Sequence, residues 1–316
     1  MKAWLRFALA VLLVGAGARY LWNHRSELDV LSQVGAAEIA LVGLLLGAFF
    51  AATGYTFGLL VALTGTRLRP VEIAGLTLLT NFANYFGPTW PGAAAKAVYL
   101  KAEKRLAYGE FVAVLAANAF LVALVSGVAG LALVLAWRGY SGTLVLPLAL
   151  ASGAAALAGA APLVLPFPDR PGQSRLPRPL AAAIDGFARL RSRRRQLAAV
   201  SASLLLQYAI AALLMLAAYD AIGRPLPFIA ACMLAVFTSI ANFFNVTPSN
   251  LGVQEMVMGY LATIAGASFA EGLLGAALIR ALHALITFLG TPAAVYAMLR
   301  GARITWRELS TGTPPA

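Results

Sequence analysis

Apolar stretches long enough to cross a bilayer alternate along this chain with short polar intervals. A crossing helix needs about 20 predominantly apolar residues. Runs of that kind lie at 5–22, 36–65, 111–137, 144–167, 197–219 and 272–299. Lys2 and Arg6 sit at the start of the first run, as in a cleavable signal peptide. That run is longer than a typical signal core and more spans follow, so a retained helix is expected. Two further segments, 71–100 and 228–266, are apolar but interrupted. Each reads as an apolar piece, a break of Pro, Gly and Asn, and a second apolar piece. Neither piece need cross alone, so each segment is expected to form a re-entrant hairpin. Two full, tilted helices per segment are the alternative.

The two interruptions are alike. One reads Thr80-Asn-Phe-Ala-Asn84-Tyr-Phe86-Gly-Pro88-Thr-Trp-Pro91-Gly92. The other, half a chain later, reads Thr238-Ser-Ile-Ala-Asn242-Phe-Phe244-Asn-Val-Thr-Pro248-Ser-Asn-Leu-Gly252. Matching Gly/Pro-interrupted apolar segments in two halves point to a transporter's substrate site. The expected fold is an all-α polytopic helical membrane protein with two related halves. Residues 1–165 form the first half, 166–195 a basic cytoplasmic linker and 196–316 the second half.

Charge orients this picture. The chain carries 24 Lys and Arg against 12 Asp and Glu, a net charge of +12. The basic residues cluster in the intervals that six spans place on one face: Lys2 and Arg6, Arg67 and Arg69, Lys96 to Arg105, the arginines of 170–195, and Arg300 to Arg307. The opposite intervals carry little net charge: Arg138, Asp220 with Arg224, and a mixed, near-neutral run of His24, Arg25, Glu27, Asp29 and Glu38 with Arg19 just before it. By the positive-inside rule both termini are cytoplasmic. Three crossings separate the two broken segments, so the second enters from the opposite face, an inverted repeat. Because the basic residues sit between spans, no nucleic-acid partner is expected. The block 189–195 either attracts anionic lipid or is an ordinary cytoplasmic loop. With 61% hydrophobic and 11% charged residues, a soluble fold is excluded. The single cysteine, Cys232, permits no internal disulfide and reads as a packing residue.

Few residues in the apolar segments could carry chemistry. Asn84 and Asn242 hold equivalent places, and an amide there is costly unless hydrogen-bonded. They satisfy backbone groups freed at the breaks, face substrate, or both. After the second break a helix restart is expected near Ser249 and Asn250, with Gln254 and Glu255 in its first turn. Such a start suits a phosphate or carboxylate. Arg280 stands inside the last span, where arginine is expensive and faces a partner or a cavity. It is either a strut paired with Glu255 or an anion-binding fork. His283, three residues on, shares its face. Of four lysines, Lys96 lies nearest the first break and is the one expected to enter the membrane. No metal spacing, paired-carboxylate cluster, nucleophile elbow or Walker loop is present. Neither an enzyme nor a bound cofactor or metal is expected.

The pattern Asn84…Pro91-Gly92…Lys96…Tyr99-Leu100, with Asn242…Pro248…Leu251-Gly252…Glu255 and the later Arg280, resembles the transmembrane region of lysylphosphatidylglycerol synthases. Stand-alone members of that family are called flippase-like integral membrane proteins. The resemblance covers about residues 36–299. It departs at Ala93, Ala94 and Ala95, where relatives commonly carry an acid, and at Asn118, where a buried charge is frequent. The resemblance implies a bacterial inner-membrane protein that handles or flips a phospholipid or a polyprenyl-phosphate-linked lipid. No soluble transferase domain follows residue 299, so lysyl transfer is not expected. A lipid transporter for an anionic or lipid-linked head group is the expected function. Its expected binding residues are Arg280, Glu255, Asn84, Asn242, Lys96 and His283. A non-transporting subunit that presents lipid to a glycosyltransferase or synthase is the alternative.

Overall fold

The computed structural model describes residues 34–86, 91–137, 145–164, 193–244 and 247–300. All elements among them are helical: α1 (Ala36–Ala62), α2 (Pro70–Asn84), α3 (Pro91–Lys104), α4 (Tyr108–Ala136), α5 (Val145–Val164), α6 (Arg194–Ala221), α7 (Phe228–Ala241), α8 (Val253–Ile264) and α9 (Phe269–Leu299). Two single turns of 3₁₀-helix, Asn242–Phe244 and Pro248–Asn250, stand between α7 and α8. The expected span at 5–22 and most of the linker at 166–195 lie outside the described residues.

Five helices, α1, α4, α5, α6 and α9, are long and apolar enough to cross a membrane. They occupy five of the six predicted spans. Their outward faces carry bare leucines, with Leu44 71%, Leu135 82% and Leu157 74% exposed. Water would penalise such a surface, whereas lipid accepts it. The broken segments divide as the punctuation predicts. α2, α3, α7 and α8 have 15, 14, 14 and 12 residues, each short of a full crossing.

Local chemistry sets the helix starts. Pro70 fixes the first turn of α2, and the Glu72 carboxylate accepts the Arg69 N–H at 2.7 Å. At α9, Ser268 and Glu271 satisfy each other's backbone N–H groups, a reciprocal cap. Pro162 and Pro292 lie inside α5 and α9. Between α4 and α5 the backbones nearly touch. A Cβ on Gly127 would come within 2.3 Å of the Ala156 nitrogen, and one on Gly159 within 2.3 Å of the Leu124 nitrogen. Close approach through small residues is how helices associate where lipid removes the hydrophobic drive.

The buried apolar residues form two large cores at opposite ends of four long helices. The first core packs α2 and α3 against the C-terminal ends of α1 and α9 and the N-terminal ends of α4 and α6, around Leu60, Leu76, Tyr99, Leu121, Val200 and Met298. The second packs α7 and α8 against the other ends of the same helices, around Val42, Val134, Tyr219, Leu234, Met258 and Leu274. Each broken segment thus anchors one end of the bundle, and both breaks point toward its middle.

Candidate functional site

A cavity of about 330 Å³ occupies the middle of the bundle, between the two cores. Leu46 and Phe49 of α1 and Leu204 and Leu214 of α6 supply apolar wall. The remaining lining includes amides and hydroxyls from both breaks, α6 and α7, and Arg280 and His283 from α9. Asn84, Asn242, Glu255, Arg280 and His283, all expected from the sequence, line it together. Lys96 does not. Its ammonium lies 4.0 Å from the centre of the Phe57 ring, between α3 and α1, in a cation–π contact.

The two asparagines close their breaks at the same spacing. The Gly92 N–H donates to Asn84 Oδ1 at 3.2 Å, and Asn250 Nδ2 donates to Asn242 Oδ1 at 3.0 Å. In each case the donor lies eight residues after the acceptor. Gly92 is required at the first. A Cβ there would meet the Thr80 oxygen at 2.6 Å and Asn84 Oδ1 at 2.7 Å. Asn84 therefore satisfies a backbone group freed at its break, Asn242 holds the side chain of Asn250 across the other, and both residues line the cavity.

The second restart comes later than the sequence suggests. Ser249 and Asn250 form a 3₁₀ turn instead of capping α8. The cap residue is Gly252, at φ 82°, and its N–H is taken by Glu255 Oε2 at 2.7 Å. Ser249 (φ 49°) and Asn250 (φ 56°) both adopt the left-handed region, which costs side-chain-bearing residues energy unless surroundings hold them there. Arg280 does much of that holding. Its Nε donates to Glu255 Oε1 at 2.6 Å, Nη1 to the Ser249 carbonyl at 3.1 Å and Nη2 to Gln254 Oε1 at 3.0 Å. The Arg280 and Glu255 side chains are only 16% and 17% exposed, so the pair is largely desolvated.

His283 turns toward the other break. Its Nδ1 lies 3.0 Å from the Tyr85 hydroxyl, and its ring meets the Phe50 ring edge-on at 5.0 Å. α9 therefore touches both breaks, through Arg280 on one side and His283 on the other.

Several lining groups were not among the expected site residues. Gln207 and Tyr208 of α6 are polar residues in an apolar helix, and Asn81 of α2 with Thr238 and Ser239 of α7 belong to the two matching interruptions. Gln207 Nε2 bonds the Thr56 hydroxyl, which lies 2.7 Å from Ser203 Oγ, stitching α1 to α6 below the cavity. Tyr208 OH lies 3.3 Å from Ser239 Oγ. Their shared signal is a polar residue inside a span, expensive in lipid unless it faces the bundle interior. Glu72 was equally unheralded. It is 2% exposed and receives the Tyr99 hydroxyl at 2.9 Å and the Lys104 ammonium at 2.9 Å, at the outer end of the first hairpin.

Among the described residues no group of three or more His, Cys, Asp or Glu could hold a metal ion. Compared with known proteins, the chain matches a family model described as the lysylphosphatidylglycerol synthase TM region over residues 3–290. No curated protein and no solved structure matches it. The matched region includes both breaks, the cavity and Arg280.

Proposed function

This chain belongs to the lysylphosphatidylglycerol synthase TM region family, and from that premise we propose that it is a lipid transporter of a bacterial inner membrane. A lipid head group enters the mid-bundle cavity while its acyl chains stay in the surrounding bilayer. One observation carries the reading: two broken segments meet at a polar cavity, halfway between two apolar cores, with their breaks closed at the same spacing. Polar lining and non-helical backbone at that depth are tolerated where they border a cavity.

The two hairpins are re-entrant and enter from opposite faces, so that rocking about the cavity exposes it to each side in turn. The placement of the two cores at opposite ends of shared helices supports this arrangement, as do three long helices between the breaks. Both termini are cytoplasmic in this orientation, as the arginine distribution favours. The chain performs no covalent chemistry on its lipid, and movement is downhill or driven by a gradient or a partner. Arg280 reads better as a strut than as an anion ligand, because all three of its guanidinium nitrogens already have protein partners.

The test is transport by the purified protein alone. Reconstituted into liposomes, it should accelerate the transbilayer movement of fluorescent phospholipids over protein-free vesicles. Gln207→Leu, which fills the cavity wall with an apolar chain, should slow that movement while the protein stays folded. A well-folded wild type that moves no lipid would remove the transporter reading and favour a lipid-presenting subunit.

A further inference from the structure

We propose that Thr238 and Asn250 form a recognition wall for an uncharged, hydroxyl-bearing head group, glycosyl or glyceryl in kind. The proposal rests on the lipid-transporter reading and names the chemistry that its cavity accepts.

The first argument is charge. Glu255 and Arg280 carry the acid and the guanidinium at the cavity, and they neutralise each other at 2.6 Å. Glu255 is already engaged at both oxygens, Oε1 by Arg280 and Oε2 by the Gly252 N–H. An ammonium head group would find no free carboxylate. Arg280 is bonded through all three nitrogens and neutralised by Glu255, so a bare phosphate would find no uncompensated cation. Either ion would be desolvated without a counter-charge, which is expensive.

The second argument is unmet hydrogen bonding. Among the described residues, Asn250 Oδ1 and Thr238 Oγ1 are buried and have no partner. Asn250 is 3% exposed and Thr238 5%. Both line the cavity. Asn250 cannot turn to relieve itself, because its Nδ2 is already given to Asn242. Buried polar atoms in native proteins are nearly always satisfied, so two orphans on residues that line one cavity call for a ligand. An amide oxygen only accepts, whereas a threonine hydroxyl gives and accepts. A ligand hydroxyl meets both needs. A phosphate oxygen offers Asn250 nothing, and an ammonium cannot accept from Thr238. A volume of about 330 Å³ lies at the low end of small-molecule sites, of order 300–1,000 Å³, and suits one sugar ring or a glycerol group.

The full-length protein in phosphatidylcholine nanodiscs gives the test, read as melting temperature. Four dioleoyl lipids with identical tails are added separately: monoglucosyl diacylglycerol, phosphatidylglycerol, phosphatidic acid and a trimethylammonium-propane lipid. The glucosyl lipid should raise the melting temperature by several degrees, and phosphatidic acid and the cationic lipid should not. Phosphatidylglycerol, which bears hydroxyls on an anionic head group, should stabilise less than the glucosyl lipid, and an equal shift from it overturns the uncharged assignment. Thr238→Val, nearly isosteric, should remove at least half of the shift. Asn250→Leu should do the same, and if it fails to fold, Thr238→Val decides alone. A larger shift from phosphatidic acid or the cationic lipid overturns the hydroxyl assignment and leaves the transporter reading intact. So does a glucosyl shift that survives Thr238→Val. No shift from any lipid, with no transport in liposomes, overturns both.

Discussion

At the first break the chain is fastened to α9 by neutral groups and rings; at the second it is fastened by charge. Tyr85 meets His283, while Phe82 and Phe86 stack around Phe288. Opposite them, Arg280 grips Glu255, Gln254 and Ser249. The first hairpin keeps its charges elsewhere. Glu72, Lys104 and Arg69 sit together at its outer end, where Arg69 is 56% exposed and water shares the cost. The difference follows from the backbone. The second break runs through two left-handed, side-chain-bearing residues, Ser249 and Asn250, and a carbonyl held by a guanidinium keeps them there. Matching breaks can thus be kept while the chemistry around them diverges, and among the described residues the charged one includes Asn250, a cavity-lining residue with a buried, unpartnered side-chain oxygen.

Labelling makes the starkest break of this comparison. Single cysteines at Pro91 and Pro248, in a Cys232→Ser background, should react with an impermeant thiol reagent from opposite faces of the membrane. Reaction from one face would end the inverted arrangement. Next in size is Arg280→Ala. Removing one partner of a desolvated pair costs about 3–5 kcal/mol, because the other charge is stranded. Melting temperature should fall sharply, and Arg280→Met combined with Glu255→Gln should recover much of it. Absence of that recovery would show that Arg280 serves something other than Glu255. Glu72→Gln should cost about 1–3 kcal/mol, the penalty of a buried hydrogen-bonded group losing its partner's charge. Its loss should shrink in high salt less than that of an exposed pair, since Glu72 is buried. The smallest effect belongs to the neutral side. Tyr85→Phe removes one hydrogen bond to His283 and should cost about 1 kcal/mol by thermal or denaturant unfolding. A Tyr85→Phe loss as large as that of Arg280→Ala would erase the contrast between the two breaks.

The helical pieces were legible because apolar length and Pro/Gly/Asn punctuation are local signals. Pro70 and Pro91 open α2 and α3, Pro227 precedes α7, and Ser268 with Glu271 opens α9. The restart of α8 was not legible to the residue. Ser249 and Asn250 look like helix caps, but the left-handed path through them defers the helix to Gly252. Five of the six expected site residues meet at the cavity because each was a costly polar group near a break or in a span. Lys96 met the same criterion and lies elsewhere, because the rotation of α3 turns it onto Phe57, and no local pattern encodes that rotation. Gln207 and Glu72 were unread for a related reason. Each is a single polar residue whose meaning depends on partners that only the assembled bundle brings to it, Thr56 for one and Tyr99 with Lys104 for the other.

The spacing of Arg280 and His283 has a mechanical consequence. They are three residues apart on α9, about 4.5 Å at 1.5 Å per residue. The polar contacts that hold the two broken segments to this rod therefore lie within one turn of each other, while the first segment also packs farther along it at Phe288 and Thr291. Torsion about the long axis of α9 moves both contacts at once, dragging Tyr85 and Glu255 together, so neither broken segment can shift on the rod without loading the other.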